Sequence, residues 1–119
     1  MRVVLLIALS LIIGLGLKAQ NRDIVREEFY TNGNLKLQFI SLGNKLVEAT
    51  YFFENGAIYE MGFYLDGKLT GNWLTFDSNN ELQTSAYFMG DKKVGIWRMY
   101  ENGVLAHKVS YSQIMVAEL

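Results

Sequence analysis

The chain has 119 residues with 12 acidic and 11 basic side chains, and it contains neither cysteine nor proline. Its length suits one domain, and the slightly negative net charge, without a basic cluster, excludes a protein that binds nucleic acid by neutralising phosphates. The lack of cysteine excludes a disulfide scaffold and a thiol-based metal site.

The first 19 residues have the layout of a secretory signal peptide. Arg2 precedes an apolar segment, residues 3–17, and Ala19 supplies the small residue at the cleavage position. This segment is shorter than the roughly 20 residues of a membrane-spanning helix. We therefore expect residues 1–19 to form a signal-peptide helix that is cleaved after Ala19, so that the mature chain is exported to the periplasm or outside the cell. In the alternative, an uncleaved leader provides the membrane contact.

A short phrase recurs along the chain: an aromatic residue, a turn containing Asn, and an aliphatic residue. Its copies begin, at intervals of 23, 23 and 24 residues, with Tyr30, Phe53, Phe76 and Tyr100. A period of roughly 20 to 50 residues is typical of stacked repeats, which usually present a binding surface. We predict one repeat domain over residues 22–112, followed by a C-terminal tail at 113–119.

Turn signals divide the repeats into strands. The Asn-Gly pairs at 32–33, 55–56 and 102–103 predict hairpin tips with type I′ turns, because both residues tolerate positive φ. A second set of turns is predicted around Gly43, Gly67 and Gly90. Strands of about seven or eight residues fit in between, and no helical periodicity follows the leader. The prediction is an all-β fold, a single antiparallel meander of about eight strands built from stacked hairpin repeats of about 23 residues.

Aromatic residues outside the turns follow the same period. Trp73 and Trp97 are 24 residues apart, and a second column consists of Ile40, Tyr64, Tyr87 and Tyr111. Side chains an odd number of positions apart on a strand point to opposite faces, so rings on both faces and an exposed apolar strip are expected. The candidate partner-binding residues are Trp73, Trp97, Tyr64 and Tyr87. The alternative is that these rings pack within the sheet itself.

The composite phrase Gly-x-Trp-x-x-aromatic, an Asn-Gly turn, an aliphatic residue, Tyr and Gly resembles the MORN-repeat-variant family, also known for YwqK-type antitoxin repeats. The copies most similar to it are residues 71–90 and 95–111. The resemblance implies β-hairpins stacked into an elongated, twisted antiparallel sheet, with degenerate outer units acting as caps. As one function, it implies an antitoxin or immunity protein that neutralises a toxin partner.

No catalytic, cofactor-binding or metal-binding set is predicted. His107 is the single histidine, so a metal site would depend on carboxylates, and the serines have no histidine in a triad context. Glu54, Asp77 and Glu101 form an acidic column beside the turns. We expect this column to solvate the turns, with an envelope hydrolase as the least favoured alternative.

The sequence therefore predicts an exported, non-enzymatic repeat domain that needs no cofactor. We expect it to bind a protein partner or another cell-envelope component through a sheet face or an open edge strand. The alternative function is the antitoxin or immunity protein.

Overall fold

The computed structural model describes residues 22–111, which form eight β-strands. The strands are β1 (Asp23–Phe29), β2 (Leu35–Gly43), β3 (Leu46–Phe52), β4 (Ile58–Leu65), β5 (Lys68–Phe76), β6 (Leu82–Met89), β7 (Lys92–Glu101) and β8 (Val104–Ser110). Each strand pairs antiparallel with the next, in the order β1 to β8, so the sheet is open. The all-β single meander is confirmed. The predicted signal peptide, residues 1–19, and the tail at 113–119 lie outside the described residues.

Two of the three Asn-Gly hairpin tips are not the type I′ turns that the sequence predicted. Only at Asn102-Gly103 do both central residues have positive φ, as a type I′ turn requires. At Asn32-Gly33 the glycine alone is left-handed, and Gly33 N–H donates to the Tyr30 carbonyl at 3.0 Å. This arrangement is a type I turn followed by a left-handed residue, which adds residues to the loop and a bulge beside it. Gly56 and Asn80 occupy the same position in the next two tips.

Type I′ turns lie instead at the other end of the sheet. Both central residues have positive φ at 44–45, 66–67 and 90–91, each between strands separated by only two residues. These positions confirm the predicted second set of turns. Asn, Asp and Gly occupy most of these positions because they tolerate left-handed backbone.

Side chains alternate between two faces along each strand, and the pairing register shows which of them share a face. Ala49 pairs with both Phe39 and Gly62, and Trp73 pairs with Ala86. These positions belong to one side of the sheet, which we call the tryptophan face. Its principal residues are Phe39, Ala49, Tyr51, Tyr64, Leu69, Trp73, Ala86, Phe88 and Trp97.

The predicted column of Ile40, Tyr64, Tyr87 and Tyr111 is divided between the two faces. Tyr64 and Tyr111 lie on the tryptophan face, where each ring centroid is 5.1 Å from an indole. Tyr87 pairs with the residue next to Trp73 and therefore lies on the opposite face. Ile40 likewise pairs with the residue next to Ala49 and lies on the opposite face.

A one-residue difference between repeats explains this division. The segment from the start of the strand to the tyrosine has one more residue at Ile58–Tyr64 than at Leu82–Tyr87. Because the side-chain period of a strand is two, the extra residue turns Tyr64 to the face opposite that of Tyr87. The structural counterpart of Tyr64 is Phe88, whose ring contacts Trp97 as Tyr64 contacts Trp73.

Few side chains in residues 22–111 are fully buried, since the described sheet is a single layer. The core cluster consists of Ala49, Trp73 and Ala86, which are 0, 4 and 6% exposed. The edge strands are the most exposed part of the described sheet: every residue of β8 is exposed. Two small residues and one indole thus form the packed centre of the tryptophan face, and β1 and β8 are the edge strands of the described sheet.

Neighbouring hairpins are also joined through their turns. At the tips, the Tyr30 hydroxyl donates to the Phe52 carbonyl at 2.6 Å, and the Asn34 side-chain amide donates to the Glu54 carbonyl at 2.7 Å. At the other end, Leu69 N–H donates to the Asp91 carboxylate at 2.8 Å. These bonds cross from one repeat to the next and so stabilise the stacking that the sequence period predicts.

Candidate functional site

A groove of about 330 Å³ lies on the tryptophan face across β4 to β7. Three rows of side chains line it. On β6 they follow at two-residue steps, whereas a register shift between β4 and β5 places the apolar row four residues from the central row on β5. The polar row consists of Glu60, Thr75 and Thr84. The central row consists of Trp73, Ala86 and Trp97. The apolar row consists of Tyr64, Leu69 and Phe88.

Two equivalent ring pairs form the apolar wall of the groove. Tyr64 meets Trp73 edge to face with centroids 5.1 Å apart, and Phe88 meets Trp97 at the same distance. Both indole N–H groups donate to strand carbonyls at 3.0 Å, Trp73 to Phe63 and Trp97 to Tyr87. The tryptophans therefore offer a partner only the carbon surface of their rings.

Three of the four predicted partner-binding residues line the groove: Tyr64, Trp73 and Trp97. Tyr87 lies on the opposite face. Trp73 is only 4% exposed, so its ring serves mainly to pack the sheet, as the alternative interpretation held. Trp97 is partly exposed, with the Lys93 ammonium 5.0 Å from its ring centroid.

The sequence interpretation missed the polar row. Glu60 is the one charged residue that lines the groove, and it pairs with Thr75 across β4 and β5. Thr75 in turn faces Thr84, and their hydroxyls are hydrogen-bonded. The available signal was an acidic residue in the middle of an otherwise apolar strand, Ile58–Leu65. A charge at such a position is either paired or functional more often than it is incidental.

The half-buried setting of Glu60 changes its electrostatics. Burial raises the pKa of the Glu60 carboxyl above its ordinary 4.5. Burial also raises the pKa of the neighbouring Tyr51 hydroxyl, and its hydrogen bond with Tyr64, at 2.9 Å, adds to this effect. Within residues 22–111 the ion pairs are Arg26–Glu28 and Lys45–Asp66, so no described basic side chain pairs with Glu60.

The first hairpin identifies the type of repeat. The MORN repeat variant family matches residues 22–39, which contain β1, its turn and the first part of β2. The chain carries a MORN repeat variant. The matched unit is one that the sequence analysis took for a degenerate cap, whereas residues 71–90 and 95–111 had seemed the better copies. The next two hairpins at this end, β3–β4 and β5–β6, repeat its antiparallel pairing and its tip geometry, and the last, β7–β8, repeats the pairing with a type I′ turn.

The eight-stranded sheet also has a counterpart among solved structures. It is similar to the crystal structure of TarM, with a TM-score of 0.50 and 17% sequence identity over 85% of this chain. The matched part is 21% of the TarM chain, so this chain spans about a fifth of that protein and the likeness concerns the fold alone. No curated protein matches this sequence.

The predicted acidic column, Glu54, Asp77 and Glu101, lies at the hairpin tips, but not at equivalent positions: Asp77 bonds across its turn as Phe53 does in the preceding tip. Glu54 and Glu101 are exposed, and neither they nor Asp77 line the groove. The Asp77 carboxylate accepts hydrogen bonds from the backbone N–H groups of Asn79 and Glu81 at 2.8 and 3.0 Å. This carboxylate therefore holds a turn in place.

His107, the remaining candidate, is exposed on β8. No group of three His, Asp or Glu side chains that could hold a metal ion occurs among residues 22–111. The same part of the chain contains no helix with the length and apolarity needed to cross a membrane.

Asp77→Ala should lower the free energy of unfolding by about 1 kcal/mol, because two backbone N–H groups of a partly exposed turn lose a charged acceptor. Urea denaturation measures the change. Glu54→Ala, at an exposed acidic position of the preceding tip, is the control and should remain within about 0.5 kcal/mol of the native chain. Equal losses in both variants would contradict the structural role of Asp77.

Glu60→Gln should make stability less dependent on pH. The folded chain holds the Glu60 proton to a higher pH than the unfolded chain does, because burial raises the folded-state pKa above 4.5. The native protein therefore loses stability as pH rises from below 4.5 through the folded-state pKa of Glu60. Burial raises the pKa of the neighbouring Tyr51 and Tyr59 hydroxyls above the ordinary 10, so these two groups stay neutral over that range.

Thermal unfolding at several pH values tests this prediction. The Glu60→Gln protein should unfold at a higher temperature than the native protein near neutral pH, and the difference should vanish at about pH 3. Glu54→Gln, in an exposed tip, should follow the native curve at every pH. A constant offset between Glu60→Gln and the native protein over the whole range would contradict the prediction.

Proposed function

We propose that this chain is an exported, non-enzymatic binding module whose MORN-variant sheet holds a partner protein in the groove of the tryptophan face. One observation carries the proposal: the groove combines aromatic and aliphatic side chains with a polar row along one side, and no other described part of the chain covers it. An uncovered depression of this mixed kind is typical of binding sites. The leader-like residues 1–19 support export.

A blocking substitution tests the groove directly. Thr84→Arg places a long side chain across the polar row, whereas Gln83→Arg makes a comparable polar-to-basic substitution one position away, on the opposite face. Immobilised native protein and both variants are incubated with an envelope extract, and the recovered proteins are identified by mass spectrometry. We expect a specific protein that native and Gln83→Arg chains recover and Thr84→Arg does not.

Recovery of the same protein by all three chains would exclude the groove as the binding surface. In that case strand addition at an edge is the next route to examine, because β8 presents Val104 and Leu105 at 68 and 43% exposure beside its unpaired backbone. Cell fractionation with mass measurement of the amino terminus tests export separately. A cytoplasmic chain that retains residues 1–19 would contradict it.

The alternative function rests on the MORN-variant match together with the family's antitoxin members. An antitoxin or immunity protein should restore the growth of cells that express a toxin encoded beside it. Co-expression with the leader present and with the leader removed tests both compartments. Lack of rescue in both arms would discard this alternative.

A further inference from the structure

The position of Glu60, the charged residue among the described residues that line the groove, should decide which group of a partner the groove accepts. We propose that the groove receives an arginine side chain of the partner protein, with the guanidinium at Glu60 and the carbon stem along the central row. This inference rests on the proposed function, since it names the group that the partner inserts.

The layout of the groove matches an amphipathic side chain. Glu60, Thr75 and Thr84 supply oxygen atoms at one side, and Trp73 and Trp97 of the adjacent central row supply carbon surface beside them. Successive same-face rows of a strand are about 7 Å apart, a separation that an extended arginine covers with its charged head at one end and its apolar stem behind it. Long basic side chains characteristically bury the stem and keep the head in a polar setting.

The chain itself contains an arginine held in such a setting on the same face. Arg26 of β1 donates from Nε to the Glu28 carboxylate at 2.8 Å, and its guanidinium carbon lies 5.5 Å from the Phe39 ring centroid. A carboxylate and an aromatic ring on this face are therefore enough to hold a guanidinium. Glu60 and the rings beside it, Tyr51 and Tyr64, present the same combination in the middle of the sheet.

The basic side chains on the tryptophan face of the described chain lie near its two edges, so the middle of the face is available to a cation from a partner. Arg26 lies over Phe39 near one edge, and Lys93 lies over Trp97 near the other, 5.0 Å from its centroid. No basic residue of the described chain pairs with Glu60. Because Glu60 is the only charged residue among the described residues that line the groove, the groove attracts a cation and repels a carboxylate or phosphate.

Arginine fits this site better than lysine. A guanidinium is planar, stacks on aromatic rings and donates two parallel hydrogen bonds to one carboxylate. It is also less strongly hydrated than an ammonium, which favours its entry into a half-buried groove. Burial raises the pKa of Glu60, and an arriving guanidinium would lower it again by stabilising the carboxylate.

Nuclear magnetic resonance titration with N-acetyl-arginine amide tests the inference without knowledge of the partner. We expect saturable shifts of the Thr75 and Thr84 amide signals and of the Trp97 indole signal. N-acetyl-citrulline amide has the same shape without the charge and should bind at least about tenfold more weakly. Glu60→Gln should weaken binding of the arginine probe by a similar factor, whereas Glu54→Gln should leave it unchanged.

Equal binding of the arginine and citrulline probes, undiminished binding to Glu60→Gln, or no groove shift at tens of millimolar arginine probe would overturn the inference. The outcomes are separable from those of the proposed function. If Thr84→Arg abolishes recovery of the partner and Glu60→Gln does not, the groove binds a partner but not through an arginine. If the arginine probe binds and Thr84→Arg still recovers every protein, the recognition of arginine stands and the groove is not the partner's docking surface.

Discussion

Replacement of Trp73 by alanine should lower the free energy of unfolding by about 3–5 kcal/mol, the range found for large aromatic side chains removed from cores. The indole is 4% exposed and packs on Ala49 and Ala86 in the centre of the sheet. Its removal also leaves the Phe63 carbonyl without the indole N–H that donates to it at 3.0 Å. A domain of this size has a total stability of roughly 5–15 kcal/mol, so the variant should be close to unfolding.

Trp97→Ala provides the matched comparison. Trp97 makes the same backbone hydrogen bond and the same edge-to-face ring contact one repeat later, yet its ring is only partly buried. It should therefore cost clearly less stability than Trp73→Ala. Urea denaturation followed by far-ultraviolet circular dichroism measures both losses. Equal losses would mean that the two repeats contribute equally, contrary to the central position of Trp73.

The number, order and approximate ends of the strands followed from the sequence, because they depend on local signals. Turn residues recur every 10 to 13 positions, and the spacing leaves room for strands and not for helices. The regular period then made each hairpin a neighbour of the next, which fixes a meander. The same signals located both sets of turns. They predicted type I′ turns at three Asn-Gly pairs, but two of these pairs form longer loops, and the other type I′ turns lie at the opposite end of the sheet.

The two faces could not be derived in the same way. A face assignment depends on whether the residue count between two positions is odd or even, and a single bulge reverses it. Register shifts occur in all seven strand pairs, so sequence spacing alone placed Tyr64 and Tyr87 in one column although they lie on opposite faces. Phe88, the true counterpart of Tyr64, was missed for this reason.

The polar row of the groove could not be predicted from the sequence for a different reason. Glu60, Thr75 and Thr84 come together only through the pairing of β4, β5 and β6, and no motif connects residues of these types at these spacings. Conversely, Trp73 and Trp97 were identifiable because tryptophan is rare and their spacing repeats the period. Sequence patterns thus identified the two tryptophan rings, whereas only the three-dimensional structure showed that Glu60 lines the groove.

Gly62→Ala should cost at least about 3 kcal/mol, the upper end of the usual range for an overpacked core. A Cβ atom at this position would overlap Cδ2 and Cε2 of the Trp73 ring, which lies directly over the glycine. The ring cannot easily move away, because its N–H is bonded to a strand carbonyl and Ala49 packs beside it. Most other glycines of the described sheet have positive φ, so glycine is needed there for its backbone conformation. At Gly62 glycine is needed for a steric reason instead.

A double-mutant cycle separates this steric cost from any other effect of the alanine. In a Trp73→Leu background the ring is absent, and Gly62→Ala should then cost less than about 1 kcal/mol or even stabilise the strand, since alanine loses less backbone entropy than glycine. Urea denaturation of the four proteins gives the coupling energy. The same penalty in both backgrounds would show that the glycine is needed for the backbone itself. The coupling would instead demonstrate that the small residue of one strand and the indole of the next are a single packing unit at the base of the groove.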